Sequence, residues 1–333
     1  MKRFIENAWQ HGHILMWLLW PLKLLYGVVT SCRRGLYRLG IKRSYALEVP
    51  VVIVGNLTVG GNGKTPVVVW LAKLLSQQGL NVGIISRGYG GDHTEPTLVQ
   101  SDTPANVCGD EPKLIVNQTG CLMAVGQDRV AAGELIIAHA QTSGQALDII
   151  ISDDGLQHYR LKRQMEVVVI DGHRRFGNNH LLPMGPMREG QWRMKSATLI
   201  INNGGASAFN EERMILKPNA LRLVKDNQQV NSTVITANDC VAMAGIGYPQ
   251  RFFDTLNDMG IATTKEIPFS DHQPYDKQML SGLVTEQQWL LMTEKDAVKC
   301  QHFAQDNWAY VPVQAKLTQA AEQKILERLK EIL

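Results

Sequence analysis

The sequence predicts an α/β protein with a parallel sheet flanked by helices, a second smaller α/β lobe and an N-terminal helix at a membrane interface. Three observations predict this class. Short, continuously apolar, β-branched runs alternate with helical stretches, which is typical of a parallel sheet covered on both faces. A glycine-rich loop follows the first of these runs. An apolar, tryptophan-rich segment followed by basic residues opens the chain.

The size and composition of the chain are those of a globular protein with more than one domain. It has 333 residues, 44% of them hydrophobic and 20% charged. The net charge of +3 is too small to indicate nucleic-acid binding, and we expect neither a nucleic-acid partner nor an obligate protein partner. The five cysteines lack the spacing of a zinc site, which favours a reducing compartment.

Residues 1–45 are predicted to associate with a membrane. The run Ile14–Val29 is nearly all apolar but is interrupted by Pro21 and Lys23, and it is shorter than the ~20 apolar residues of a spanning helix. Tryptophans cluster in the first twenty residues and cations follow the run, as in helices that lie among lipid headgroups. These residues are Trp9, Trp17, Trp20, Arg33, Arg34, Arg38, Lys42 and Arg43. A core helix packed on the domain is the alternative.

The predicted core, residues 46–216, contains six strands and at least two crossover helices. The helices are Pro66–Gln78 and Arg129–Gln141, which end near glycines. The strands are Val51–Val54, Val82–Ile85, Leu122–Val125, Ile149–Ile151, Val167–Ile170 and Thr198–Ile201.

A polar stretch, residues 217–238, is predicted to be a linker or β-ribbon that leads into the smaller lobe, residues 239–333. We interpret Gly245-Ile246-Gly247 as a tight turn rather than a dinucleotide-binding turn, because two glycines alone are weak evidence. The predicted elements of the lobe are Val241–Ala244, Arg251–Met259, Leu290–Thr293, Ala309–Val313 and Thr318–Leu333.

The glycine-rich loop predicts a P-loop NTPase-like core that binds ATP. It matches the pattern Gly-x-x-x-x-Gly-Lys-[Ser/Thr] except that Thr58 stands at the first glycine position. Glycines let successive N–H groups point at phosphate oxygens, Lys64 would reach the β- and γ-phosphates, and the Thr65 hydroxyl would coordinate Mg²⁺. The loop comprises Thr58, Val59, Gly60, Gly61, Asn62, Gly63, Lys64 and Thr65.

Acidic residues are the next candidates, since P-loop phosphoryl transfer needs a carboxylate at a strand end. Asp153 and Asp154 follow an apolar strand and are favoured over Asp171, which follows another. Two adjacent acids repel unless a cation or hydrogen bonds offset them. An N-cap role for Asp154 is the alternative. Asp110 and Glu111 form a second pair before a helix, and a capping role is equally open for them.

These motifs, in this order, resemble those of the lipid A 4′-kinase family. Thr58 is usual in that family, whereas Ser270 and Gln273 depart mildly from its pattern. The motifs, besides the phosphate loop, are Ser86-Arg87-Gly88-Tyr89-Gly90, Gly109-Asp110-Glu111-Pro112, Asp153-Asp154-Gly155-Leu156-Gln157-His158, Leu182-Pro183-Met184-Gly185-Pro186-Met187-Arg188-Glu189, Gly245-Ile246-Gly247, Asp271-His272 and Thr293-Glu294-Lys295-Asp296-Ala297.

The resemblance implies transfer of the γ-phosphate of ATP, with Mg²⁺, to the 4′-hydroxyl of a tetraacylated glucosamine disaccharide 1-phosphate lipid. It implies that Asp110 is the catalytic base assisted by His272, and that Glu111, Asp153 and Asp154 lie near the metal. We expect the enzyme on the cytoplasmic face of the inner membrane, as a peripheral or N-terminally anchored protein.

Four arginines are candidates for holding phosphate, because guanidinium groups make bidentate contacts with phosphate oxygens. Arg188 and Arg129 are favoured over Arg174 and Arg175, and surface salt bridges are the alternative for each. The competing function is a membrane-associated regulatory ATPase of the deviant Walker type. That class needs an additional lysine where this chain has Val59.

Overall fold

The computed structural model describes residues 2–230, 235 and 240–333, and in these residues the strands form two sheets. The strands are β1 (Val51–Gly55), β2 (Val82–Ser86), β3 (Thr97–Val99), β4 (Leu122–Val125), β5 (Ile149–Asp153), β6 (Met165–Asp171), β7 (Leu199–Asn203), β8 (Glu211–Pro218), β9 (Arg222–Leu223), β10 (Cys240–Ala244), β11 (Lys265–Pro268), β12 (Trp289–Thr293), β13 (Trp308–Val311) and β14 (Val313–Lys316).

Helices cover the sheets and form the N-terminal segment. The α-helices are α1 (Lys2–His11), α2 (Trp20–Arg38), α3 (Lys64–Gln77), α4 (Ala105–Cys108), α5 (Asp110–Thr119), α6 (Arg129–Thr142), α7 (Gln250–Asp258), α8 (Lys277–Ser281), α9 (Glu294–Cys300) and α10 (Gln319–Lys330). The 3₁₀ helices are Ile14–Leu19, Gln191–Ser196 and Gln301–Phe303.

The large sheet confirms the predicted α/β fold class. Its nine strands lie in the order β14-β8-β7-β6-β1-β5-β2-β4-β3. The inner strands are parallel, and β3 and β14 pair antiparallel at the edges. All six strands predicted for the core are present. Because β1 and β5 are neighbours, the loops after them meet at the same edge, where open α/β sheets bind ligands.

Apolar side chains on both faces of this sheet form its core. On one face α3 and α10 pack against the sheet, and on the other α6 does so. The central strands are buried over their whole length, which explains their continuous apolar sequences. The sheet is therefore a rigid support for the loops at its carboxyl edge.

The small sheet has the order β11-β10-β12-β13-β9, with only β9 antiparallel. The structure departs from the predicted range 239–333 at its end, because β14 joins the large sheet beside β8 and α10 packs there. Ala321, Ile325 and Leu329 form the buried stripe of α10. That spacing predicts a buried face but does not reveal which sheet the face covers. Of the predicted linker, residues 231–234 and 236–238 lie outside the described residues.

The N-terminal segment lies on the large lobe with an apolar face exposed. The stretch Ile14–Arg38 is long and apolar enough to cross a membrane, and only 6% of its most apolar window is buried. A core helix would be mostly buried, so this alternative is not supported. The tryptophans do not share one face: Trp17 and Trp20 are exposed, whereas Trp9 donates its Nε1–H to the Pro183 carbonyl at 2.9 Å.

Candidate active site

The phosphate loop connects β1 to α3, and hydrogen bonds from side-chain amides hold its conformation. Gly63 precedes the helix in the left-handed region (φ 86°), and a Cβ there would collide with the Asn203 side chain. Asn203 donates to the Asn62 carbonyl at 3.1 Å, and Asn62 donates to the buried Thr58 hydroxyl at 2.8 Å. Thr58 thus supplies an acceptor that glycine lacks. The loop presents the N-terminus of α3, where unpaired N–H groups favour anions.

Two cations from different motifs converge on Asp154. The Lys64 Nζ lies 3.7 Å from its Oδ1, and Arg188 donates from Nη2 at 2.9 Å and from Nη1 at 3.2 Å. Arg188 also donates to the Asn56 side chain after β1. Burial raises the pKa of Asp154, but Lys64 and Arg188 outweigh it and hold that pKa well below its usual range. Asp154 therefore orients the lysine and the arginine, which is not the capping role considered as an alternative.

Asp153, at the end of β5, differs from Asp154 in that its pKa is raised and not lowered. Its carboxyl group is buried, and Ser86 donates to Oδ2 at 3.1 Å. In the part of the chain that the structure describes, Oδ1 has no hydrogen-bond partner. Burial raises the pKa of Asp153 to about 7, the charge of Glu111 adds to this, and Lys64 opposes it. A buried carboxylate without a partner for one oxygen is an incomplete arrangement that a bound cation would complete.

The oxygen ligands predicted for Mg²⁺ fit that ion. Mg²⁺ is usually bound through one or two carboxylates, with substrate phosphates and waters completing an octahedron. Asp153 and Glu111 supply carboxylates, and Thr65 supplies a hydroxyl in the first turn of α3. Asp154 fits less well as a direct ligand because both its oxygens face cations. The described residues contain no group of three acidic, His or Cys side chains that would hold a metal without the nucleotide.

Arg129 and Arg175 have different surroundings. Arg129 is buried in the first turn of α6 and donates to the Gly126 carbonyl at 3.0 Å. Burial lowers the pKa of its guanidinium to about 10, against the nearby charge of Asp153. Its buried Nε finds no acceptor among the described residues. Arg175 instead makes a bidentate pair with Glu211 at 2.7 Å, which accounts for it as a structural residue.

Arg174 and Asp171 support the phosphate loop from β6. Arg174 donates to the Gly61 carbonyl and, at 3.2 Å, to the Asn62 side chain, while its Nε donates to Asp171 at 3.1 Å. Arg251 of the small lobe also donates to Asp171, at 3.2 Å. Asp171, the alternative strand-end acid, therefore pairs with two arginines. Arg174 also contacts the phosphate loop, and Arg251 comes from the small lobe.

Asp110 and His272 meet between the two lobes. Asp110 is the first residue of α5 and is 6% exposed, and His272 approaches from the small lobe with Nδ1 at 3.1 Å from Oδ2. Burial raises the pKa of Asp110, but the His272 hydrogen bond and the charge of Lys295 outweigh it, so the net pKa is lowered. The hydrogen bond to Asp110 raises the pKa of His272. Both residues line a cleft between the lobes.

Lys295 is the residue that sequence reasoning missed. Its Nζ lies 2.8 Å from Glu111, 3.1 Å from Asp271 and 3.8 Å from Asp110. This largely buried ammonium group thus lies between three carboxylates that come from the two lobes. Although burial opposes its charge, these carboxylates raise the pKa of Lys295. Lys295 lies in the motif Thr293-Glu294-Lys295-Asp296-Ala297, but only the fold brings it to the Asp110 pair.

The sequence matches the family described as tetraacyldisaccharide-1-P 4′-kinase over residues 15–330. The chain belongs to this family. A tetraacyldisaccharide 4′-kinase from Shewanella loihica is 49% identical, covering 99% of this chain and 97% of the relative. One from Shewanella denitrificans is 48% identical, covering 100% of this chain and 99% of the relative.

A solved structure agrees with this assignment. The crystal structure of LpxK from Aquifex aeolicus in complex with ATP superimposes with a TM-score of 0.80 at 26% identity, covering 96% of this chain and 99% of that chain. The predicted family and fold class are confirmed, and the chain is a kinase of the tetraacyldisaccharide 4′-kinase family. Family membership also excludes the regulatory ATPase considered from the sequence.

Proposed function

We propose that the chain transfers the γ-phosphate of ATP, with Mg²⁺, to the 4′-hydroxyl of the tetraacylated disaccharide 1-phosphate lipid. The observation that carries the mechanism is the pair formed by Asp110 and His272 across the lobes. A sugar hydroxyl is a poor nucleophile, and a carboxylate at hydrogen-bond distance accepts its proton as the phosphoryl group moves. The deprotonated state of Asp110 is favoured by His272 and Lys295.

The nucleotide is proposed to bind along the phosphate loop, at the N-terminus of α3. Lys64 and Arg188, oriented by Asp154, place two cations beside the loop. These charges stabilise the transferring phosphoryl group, and Arg129 adds a third from α6. Gly60–Gly63 would contribute backbone N–H groups, whereas the Val59 N–H donates to the Pro186 carbonyl at 2.9 Å. Asp153, Glu111 and Thr65 are the residues proposed to hold Mg²⁺, which would supply charge neutralisation for the phosphates.

The acceptor side of the reaction is assigned to the cleft beside Asp110. Protonated His272 donates a hydrogen bond to the Asp110 carboxylate, both of whose oxygens lie 3.1–3.2 Å from Nδ1, and holds the carboxylate in place. After transfer, the proton rests on the Asp110–His272 pair, from which solvent in the cleft removes it. Each step uses an atom at the lobe interface, so the base depends on residues from both lobes.

The membrane location follows from the substrate and the N-terminal segment. A lipid with four acyl chains stays in the bilayer, so the cleft must reach the headgroup plane. Exposed Leu24, Leu25, Val28 and Val29 on α2, with Trp17 before it, give an apolar surface suited to the interface. We propose the cytoplasmic face of the inner membrane, since the reaction consumes ATP.

Mass spectrometry of the reaction product tests the proposal. Purified chain, ATP and Mg²⁺ are incubated with the tetraacyldisaccharide 1-phosphate in mixed micelles, and fragmentation locates the new phosphate. We expect one phosphate on the 4′-oxygen, and a sample lacking Mg²⁺ should give none. ATP hydrolysis without a phosphorylated lipid would contradict the proposal.

A further inference from the structure

Two arginines lie at or beside the phosphate loop, and each is held at its backbone by the N-terminal segment. The Arg188 carbonyl accepts a hydrogen bond from the Tyr26 hydroxyl at 3.1 Å. The Arg174 carbonyl accepts one from Gln10 Nε2 at 3.2 Å. The guanidinium groups of the same arginines contact Asp154 and the Gly61 carbonyl. Direct contacts therefore run from the N-terminal helices through Arg174 to the phosphate loop, and through Arg188 to Asp154 beside it.

Further contacts seat this segment on the loop that carries the arginines. Trp9 donates its indole N–H to the Pro183 carbonyl at 2.9 Å, and the Trp9 carbonyl accepts from the Asn178 N–H at 2.7 Å. Ala8 and Met16 bury their side chains against Met184. The segment is thus packed into the protein at several points, which a simple membrane anchor does not require.

The two faces of α2 have different partners. Leu24, Leu25 and Val28 point outward and are 46%, 60% and 59% exposed. Tyr26 and Gly27 point inward, where Leu181 lies against Gly27. Tyr26 and Leu25 are adjacent in sequence, so a shift of the helix at the membrane would also move the Tyr26 hydroxyl.

We infer that the N-terminal segment is a positioning element of the active site as well as a membrane contact. Tyr26 and Gln10 are its positioning residues, and they act through the backbone of Arg188 and Arg174. The inference rests on the proposed function, because Arg188 is assigned there to the transferring phosphoryl group. Deleting the whole segment would remove membrane contact and positioning together, so single hydroxyl and amide deletions are needed to separate them.

Tyr26→Phe tests the inference, with Tyr37→Phe as its matched control. Both remove a hydroxyl from α2, but the Tyr37 hydroxyl makes no hydrogen bond among the residues that the structure describes, and its ring packs on Tyr159. Activity is measured in mixed micelles and binding by flotation with anionic vesicles. Loss of one such hydrogen bond should lower kcat roughly 5- to 10-fold in Tyr26→Phe, with KM for the lipid and vesicle binding unchanged. Tyr37→Phe should match wild type.

A double-mutant cycle separates positioning from general damage. In an Arg188→Ala background, Tyr26→Phe should cause no further loss, because the group that it positions is absent. Gln10→Ala and Arg174→Ala should show the same pattern. Losses that multiply, or equal activities for Tyr26→Phe and Tyr37→Phe, would overturn the inference. Absence of lipid phosphorylation by wild type would instead reject the proposed function.

Discussion

The two adjacent acid pairs of the site, Asp153–Asp154 and Asp110–Glu111, look alike in sequence but are neutralised in different ways. Asp154 is paired with Lys64 and Arg188, which belong to the same lobe as Asp154 itself. Asp110 and Glu111 are instead paired with His272 and Lys295, which come from the other lobe.

This difference teaches that Asp154 meets its cations within the large lobe, whereas Asp110, proposed as the base, and Glu111, proposed near Mg²⁺, meet theirs only where the two lobes meet. Gly247 approaches the phosphate loop from the small lobe closely enough that a Cβ there would lie 3.1 Å from the Gly61 nitrogen. The predictions below test this division between a preformed pair and an assembled pair.

Lys64→Ala should have the largest effect. It removes the cation from both the transferring phosphate and Asp154, and loss of such a group costs on the order of 10²-fold or more in kcat. Lys73→Ala, on the same helix, is the control and should retain activity. Steady-state kinetics measure both variants. Near wild-type kcat in Lys64→Ala would remove the phosphate loop from the mechanism.

Asp110→Asn and His272→Ala should each lower kcat strongly, and the double variant should be little worse than the more damaged single one. Residues that act as one unit are non-additive. The comparison of all three variants under identical conditions is the measurement. Losses that simply multiply would show that the two residues contribute separately.

Lys295→Met should lower kcat roughly tenfold or more, because removal of one partner leaves buried carboxylates uncompensated. Asp271→Asn in that background should restore part of the activity, since it removes one repelling charge. Lys225→Met is the control: its ion pair with Asp306 is exposed on the same lobe. Failure of Asp271→Asn to help would indicate that Lys295 acts by packing alone.

The pH dependence of stability gives the smallest expected effect. The folded-state pKa of His272 is raised by Asp110, so its contribution is fully present below the unfolded pKa, about 6.5, and is lost as pH rises through the folded value. The His272 side chain is partly exposed to solvent, so we expect a difference of below about 1 kcal/mol. Urea unfolding of wild type and His272→Asn at pH 6 and pH 9 measures it. A difference that grows at pH 9 would contradict this sign.

Much of the fold could be predicted because its signals are local. Apolar strands and the glycine loop are contiguous in sequence, and Asp153 and Asp154 follow directly from a strand end. The role of Lys295 could not be predicted, because it depends on contacts more than 180 residues apart in sequence. The placement of α10 depends likewise on which sheet its apolar stripe meets. Trp9 and Trp17 both belong to the tryptophan-rich N-terminal segment. Only the packing shows that Trp9 is hydrogen-bonded to the protein whereas Trp17 is exposed.

Nucleotide binding by Asp110→Asn and Asp153→Asn, compared side by side, tests the central claim most directly. Calorimetric titration with a non-hydrolysable ATP analogue and Mg²⁺ gives Kd, and single-turnover assays give the transfer rate. We expect Asp110→Asn to bind the nucleotide like wild type but to transfer slowly, whereas Asp153→Asn should lose the Mg²⁺-dependent part of binding. Equal weakening of nucleotide binding in both variants would contradict the assignment of Asp153 to the nucleotide side and of Asp110 to the acceptor side.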